Sequence, residues 1–163
     1  MKKLILLLLL IGTTATAQYR RQPLNDNYAY FALGTSAATI PHTDILIANG
    51  IFTAGVRDRL FDVSINYEYV NLKPKYHSYF IGLQVIPLTL GNFEFGIGGK
   101  YGRVIRESEG VYTYAGGNAE TRFTVKNFFI SLVGNYDYRG DIHSQWGKDY
   151  FVYTTNIKIG IKI

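Results

Sequence analysis

Residues Phe61 to Asn71 read Phe-Asp-Val-Ser-Ile-Asn-Tyr-Glu-Tyr-Val-Asn. Phe61, Val63, Ile65, Tyr67 and Tyr69 share one parity, and Asp62, Ser64, Asn66 and Glu68 share the other. Successive side chains of a strand point to opposite faces, so this stretch has one apolar and one polar side. Helical faces recur every three to four positions and would mix the two sets. A strand with two such faces needs neighbours, and it needs a different environment on each side.

Further segments of the same kind follow through the chain. Predicted strands run over Tyr28–Ser36, Ile45–Arg57, Phe61–Asn71, His77–Ile86, Phe93–Val104, Val111–Val125, Phe128–Tyr138 and Tyr150–Ile163. The stretch from Ile45 to Arg57 alternates weakly, and its faces stay unassigned. Gly116-Gly117-Asn118 is a turn signal that would break residues 111–125 into a hairpin. The unbroken strand is preferred, because it leaves an even count with Lys126-Asn127 as a two-residue turn. Pro41, Lys73-Pro74-Lys75, Pro87 to Asn92, Arg106 to Gly110 and Arg139 to Asp149 read as loops or turns. The expectation is an all-β, eight-stranded antiparallel up-and-down barrel over residues 28–163. Most segments have the length a tilted strand needs to cross a bilayer, about 9 to 11 residues or a little more.

The first residues supply an address. Lys2 and Lys3 precede an apolar run, Leu4 to Ile11, and Ala15-Thr16-Ala17 offers a small-x-small cleavage site. Residues 1–17 are therefore expected to be a cleavable secretory signal peptide, with 18–27 a short polar linker. As a helix the apolar run spans about 12 Å, against roughly 30 Å of bilayer hydrocarbon, which argues against an anchor. Cleavage would leave 15 of the 17 Lys and Arg against 12 acidic residues, a formal charge of +3. That is too mild to argue for nucleic acid. Cysteine is absent, so disulfides, thiolate metal sites and lipoprotein attachment are excluded. No cofactor or metal cluster is expected. After cleavage no apolar run is long enough for a membrane helix, so membrane residence requires a closed barrel without open strand edges.

Alternation alone would equally suit an exported soluble, lipocalin-like barrel with its apolar face inward around a ligand. Two features put lipid outside. The polar parity carries both signs of charge, Asp62, Glu68, Glu94, Lys100, Glu120, Arg122 and Lys158, among many glycines, which suits a narrow lumen. The apolar parity collects rings near strand ends: Phe61, Tyr67, Tyr69, Phe93, Tyr101, Tyr136, Tyr138, Phe151 and Tyr153. Such rings match an interfacial aromatic girdle. Folding residues 93–125 symmetrically about Ser108 places Glu94 opposite Arg122. A lumenal Glu94–Arg122 ion pair is expected from this, with Glu120, Glu68 and Lys100 as further partners. The alternative is a set of solvated charges on an open sheet face.

The signal, the eight amphipathic strands and the alternating last strand together resemble the small outer-membrane barrels of the OmpA-barrel and OmpX type. The resemblance is one of pattern over residues 28–163. It implies an outer-membrane location, contact with outer-membrane lipids, and outer loops that carry the function of a structural or surface-interaction protein. Residues Thr154 to Ile163 resemble the C-terminal signal read by the barrel-insertion machinery, departing from it in ending on Ile163 where an aromatic is usual.

Catalysis has thin support. His42, His77 and His143 are the candidate bases, and His77-Ser78 and His143-Ser144 place hydroxyls beside two of them. Neighbours on a strand face opposite ways, which makes a poor dyad. A lipid-modifying outer-membrane enzyme is therefore an alternative rather than the expectation. Arg139-Gly140-Asp141 spells an adhesion tripeptide, although Gly in that position equally marks a turn. Lys73 to Lys75 and the region of Arg106 lie where headgroup contact is conceivable, with a solvated loop the plainer reading.

Overall fold

The computed structural model describes residues 27–39, 46–70, 75–106, 110–142 and 151–163. The expected signal peptide at 1–17, nearly all of the expected linker at 18–27, His42, Lys73, Pro74, His143 and Ser144 lie outside them. Eight strands run in order: β1 (Tyr28–Thr39), β2 (Leu46–Arg57), β3 (Phe61–Val70), β4 (Tyr76–Leu90), β5 (Phe93–Arg106), β6 (Gly110–Val125), β7 (Phe128–Arg139) and β8 (Phe151–Lys162). Each pairs antiparallel with the next, and β8 pairs with β1 to close the barrel. Closure sets Leu33 opposite Ile159 and Phe31 opposite Ile161. No strand edge is left open, the condition for a sheet to sit in lipid.

The two ends differ. Residues 58–60, 91–92 and 126–127 connect strands at the end that also holds both termini of the barrel. Residues 40–45, 71–75, 107–109 and 140–150 connect them at the other. These are called the turn end and the loop end.

The alternation read from the sequence becomes a division between outside and lumen. Val63, Ile65 and Ile159 are 48%, 66% and 60% exposed, whereas their neighbours Asp62, Ser64, Asn66 and Glu68 are buried. The outer surface is a belt of Ile, Leu, Val and aromatic side chains, and the buried interior is mostly polar. β2 now has assignable faces: Asn49, Ile51, Thr53 and Arg57 point in, and Phe52 and Val56 point out. Its pattern is weak because Ile51 is an apolar residue in the lumen while Gly50 and Ala54 occupy outward positions.

Several boundaries differ from expectation. β4 continues through Pro87 to Leu90, where the sequence predicts a turn, because a bulge between Val85 and Leu88 absorbs the proline. Proline has no N–H for the ladder, and a bulge is where a sheet tolerates that. Ile86, beside it, donates its N–H to the Leu60 carbonyl at 2.8 Å. The turn itself is Gly91-Asn92, with Gly91 at φ +58°. Arg106 belongs to β5, not to a loop, and β6 runs unbroken through Gly116-Gly117-Asn118.

Candidate functional site

The chemistry of the molecule is concentrated in the lumen. Among the described residues seven cations, Arg57, Lys100, Arg106, Arg122, Arg139, Lys158 and Lys162, point inward, and so do six carboxylates, Asp62, Glu68, Glu94, Glu120, Asp137 and Asp141. Removing an ion from water costs several kcal/mol, so these groups must find partners inside. They do so in two tiers.

The tier toward the turn end is built on β2, β3, β5 and β6. Arg57 faces Asp62 directly in the β2–β3 register and bonds it at 3.0 Å. Its Nε lies 3.4 Å from Glu94. Arg122 bonds Glu120 at 2.9 Å and reaches Asp62 at 3.3 Å. Tyr30 donates its hydroxyl to Asp62 at 2.8 Å. The Arg122 guanidinium also lies over the rings of Phe129 and Tyr30, 4.3 and 4.6 Å from their centroids. These aromatics, with Tyr28 and Ala32, form a small apolar cluster under the ion pairs.

The tier toward the loop end is separate. Lys100 bonds Asp137 at 2.9 Å and Asn135 at 2.8 Å, and Tyr114 donates to Asp137 at 3.0 Å. Glu68 accepts from Ser78 at 2.8 Å and from Asn49. Above them Asp141, fully buried, is held by both Arg106 and Arg139 at 2.6 to 2.9 Å. Arg139 in turn lies on the Tyr76 ring, 4.5 Å from its centroid. Val70, Tyr76, Phe80, Val104 and Tyr114 form the apolar packing of this tier. Asp141 lies beyond the end of β7. Burial alone would raise its carboxyl, but the hydrogen bonds and charge of Arg139, with Arg106, outweigh that and hold it below the ordinary value.

Between the tiers Ser64, Asn66, Gln84, Asn118, Asn156 and Lys158 surround a cavity of about 20 Å³. Polar walls and that volume suit a single water. Lys158 reaches Asn66 at 3.5 Å, and Asn66 is tied to Thr53 and Ser64. This cavity is too small and too polar for an apolar ligand, and among the described residues the apolar parity faces outward rather than around a chamber.

The expected Glu94–Arg122 ion pair is not among the contacts of the described residues. The two do stand opposite each other in the β5–β6 register. Across-strand position did not decide the bond, because Arg122 is long and turns along its own strand to Glu120 and across the lumen to Asp62, leaving Glu94 to Arg57. Lys100 and Glu68, expected near Arg122, belong to the loop-end tier instead. Arg57, Asp137, Arg106, Arg139 and Asp141 were missed. Parity would have found Asp137, which shares the inward face of β7 with Ser131 and Asn135. The others sat on a strand of uncertain faces or in segments read as loops.

All nine expected girdle rings lie on the outward parity and, Phe151 apart, are sorted by type. Phe61 and Phe93 are at the turn end, where Phe123 and Phe128 join them. Tyr67, Tyr69, Tyr101, Tyr136, Tyr138, Phe151 and Tyr153 are on the loop side. They pack in contact: Tyr136 stacks on Phe151 at 4.8 Å and Tyr67 lies 5.0 Å from Tyr79. The other candidates that lie within the described residues dissolve. Ser78 points into the lumen to Glu68, and His77 points outward to the Tyr67 hydroxyl at 2.6 Å, so they form no dyad. Arg139 and Asp141 of the adhesion-like tripeptide are buried and bound to one another, not displayed. Arg106 points into the lumen rather than toward headgroups.

Solved structures share this architecture. A designed transmembrane β-barrel superposes with a TM-score of 0.56 at 14% identity, covering 87% of this chain and 100% of its own. Neisserial surface protein A gives 0.53 at 14%, covering 87% and 99%. The N-terminal β-barrel domain of Pseudomonas aeruginosa OprF gives 0.55 at 11%, covering 85% and 98%. At these identities the likeness concerns the fold, which is that of small eight-stranded transmembrane barrels. No protein-family model matches the chain, and no curated protein sequence does.

Proposed function

We propose that this chain is an integral outer-membrane barrel, non-catalytic and with a plugged lumen, which acts as a structural or surface-interaction protein through its loop end. The observation that carries the reading is the outward belt of Leu33, Val63, Ile65, Ile81, Ile97, Ile130 and Ile159 around a closed sheet whose charges are turned inward. In water such a belt would be an aggregation surface far larger than soluble monomers carry. In lipid it is the required exterior. The outer-membrane barrels among the structural neighbours support the location, and the short connections at one end against longer ones at the other suit an orientation with the loop end outside. Outer-membrane lipids and the barrel-insertion machinery, acting on Thr154 to Ile163, are the partners this reading implies. The plug is supported by the two tiers of ion pairs, since about eight strands enclose room for side chains and little else.

Fractionation of expressing cells tests the location. The chain is expected in the outer-membrane fraction, resistant to high-salt and alkaline extraction, and soluble periplasmic recovery without detergent would overturn the reading. In planar bilayers the refolded protein is expected to give no steady conductance. A stable open channel would remove the plug.

A further inference from the structure

Among the described strand residues, Arg103 on β5 is the only Asp, Glu, Lys or Arg whose side chain faces outward. It is exposed, and no carboxylate among the described residues pairs with it. The register seats it between Tyr79 of β4 and Thr113 of β6, three positions from the loop end of β5. Next to it lies a contiguous stack. Tyr79 packs on Tyr67 at 5.0 Å, the Tyr67 hydroxyl meets His77 Nδ1 at 2.6 Å, and Tyr69 covers the imidazole at 5.0 Å. In either tautomer the Tyr67–His77 pair keeps one donor spare: Nε2–H if the phenol donates, the phenol O–H if the imidazole does. Outward charge is costly at the bilayer midplane and nearly free at the interface, so a lone guanidinium in the tyrosine girdle belongs at headgroup depth. There the group that matches its planar fork is a phosphate.

We infer that Arg103, with the Tyr79–Tyr67–His77 stack beside it, binds the phosphate of one anionic lipid headgroup in the loop-side leaflet. The inference rests on the membrane-spanning reading above. It assigns the β3–β5 face a fixed lipid, where the rest of the belt meets acyl chains without preference.

The test uses the full barrel refolded into phosphatidylcholine vesicles with trace spin-labelled phosphatidylglycerol or phosphatidylcholine. Wild-type protein is expected to prefer phosphatidylglycerol by about fivefold at one site, the ratio a single basic side chain near a membrane surface confers. Arg103→Gln should bring the ratio close to one, Arg103→Lys should keep part of it, and Tyr67→Phe should reduce it. Wild-type selectivity in Arg103→Gln would overturn the site. So would loss of selectivity with inorganic phosphate but not with chloride at equal ionic strength, which would make the ligand a soluble phosphate. Protein that does not float with the vesicles would overturn the membrane reading and the site together, whereas protein that floats without selectivity overturns the site alone.

Discussion

Asp141 condenses what single residues do in this molecule. It sits one position past a glycine, in a tripeptide whose letters suggest display, yet its carboxylate is buried between Arg106 and Arg139. Replacing it with Asn removes the carboxylate that Arg106 and Arg139 share, and breaking a buried pair from one side costs about 3–5 kcal/mol. Urea unfolding of Asp141→Asn in vesicles is expected to show a loss of that order, with Asp58→Asn, in an exposed turn, near zero. The same contact fixes a pH dependence. The folded pKa of Asp141 lies below its ordinary value, so its contribution is fully present above about pH 4, the unfolded carboxylate value, and fades as pH falls through the folded value. Acid titration of stability should therefore be shallower in Asp141→Asn below pH 4 than in wild type, and an unchanged slope would assign the acid sensitivity elsewhere. A second pair is suited to a double-mutant cycle. Asp62 and Arg122 are sixty positions apart in sequence and 3.3 Å apart in the lumen, and a coupling of about 0.5–3 kcal/mol is expected.

At the scale of the strand pair, the glycines of β5 separate two roles. A Cβ on Gly102 would run into the Tyr79 carbonyl and the backbone of Phe80, so Gly102→Ala must push β4 and β5 apart. A Cβ on Gly99, on the outer face, meets nothing nearer than the Gly116 carbonyl at 3.5 Å. Gly102→Ala is expected to destabilise by about 1–3 kcal/mol, the cost of overpacking, and Gly99→Ala to be close to neutral. Equal unfolding midpoints for the two would show that the β4–β5 contact is looser than drawn. The β6–β7 turn offers the opposite sign. Lys126 holds φ at +54°, a conformation that favours glycine in two-residue hairpins. Lys126→Gly is expected to raise stability by up to about 1 kcal/mol by relieving that strain. The unbroken β6 has a related explanation: Gly116-Gly117-Asn118 looks like a turn in isolation, but β5 and β7 supply ladder partners on both sides and hold it extended.

For the whole barrel, the decisive property is which solvent each face meets. Ile65, Ile81 and Ile159 lie mid-strand on the outer surface. Ile65→Arg is expected to cost about 2–4 kcal/mol when unfolding is measured from a bilayer, as for cations at the midplane of other barrels. A soluble barrel would tolerate or welcome the same change at an exposed position, so a neutral result would argue for water outside. The sorted girdle belongs to this scale too. On the proposed membrane reading, phenylalanines at the turn end would bury whole rings in lipid, while tyrosines on the loop side carry a hydroxyl that must be hydrated or bonded, which would give the two interfaces different depths of polar contact.

Parity carried most of what the sequence could say. Because side chains on a strand alternate with a period of two, Phe61 to Tyr69 declared their two faces locally, and so did most of β4, β5, β7 and β8. Neighbouring hairpins then made the up-and-down order and the Glu94–Arg122 register accessible by counting. Where an apolar residue entered the lumen, as Ile51 does, or a bulge carried a proline, as at Pro87, the local signal failed. The ion pairs were decided only in three dimensions. Arg122 chooses among carboxylates brought to it by β3, β5 and its own strand, and Asp141 is reached by arginines from β5 and β7. Such choices depend on distances across a closed lumen, set by every strand at once, and no alternation along a single strand encodes them.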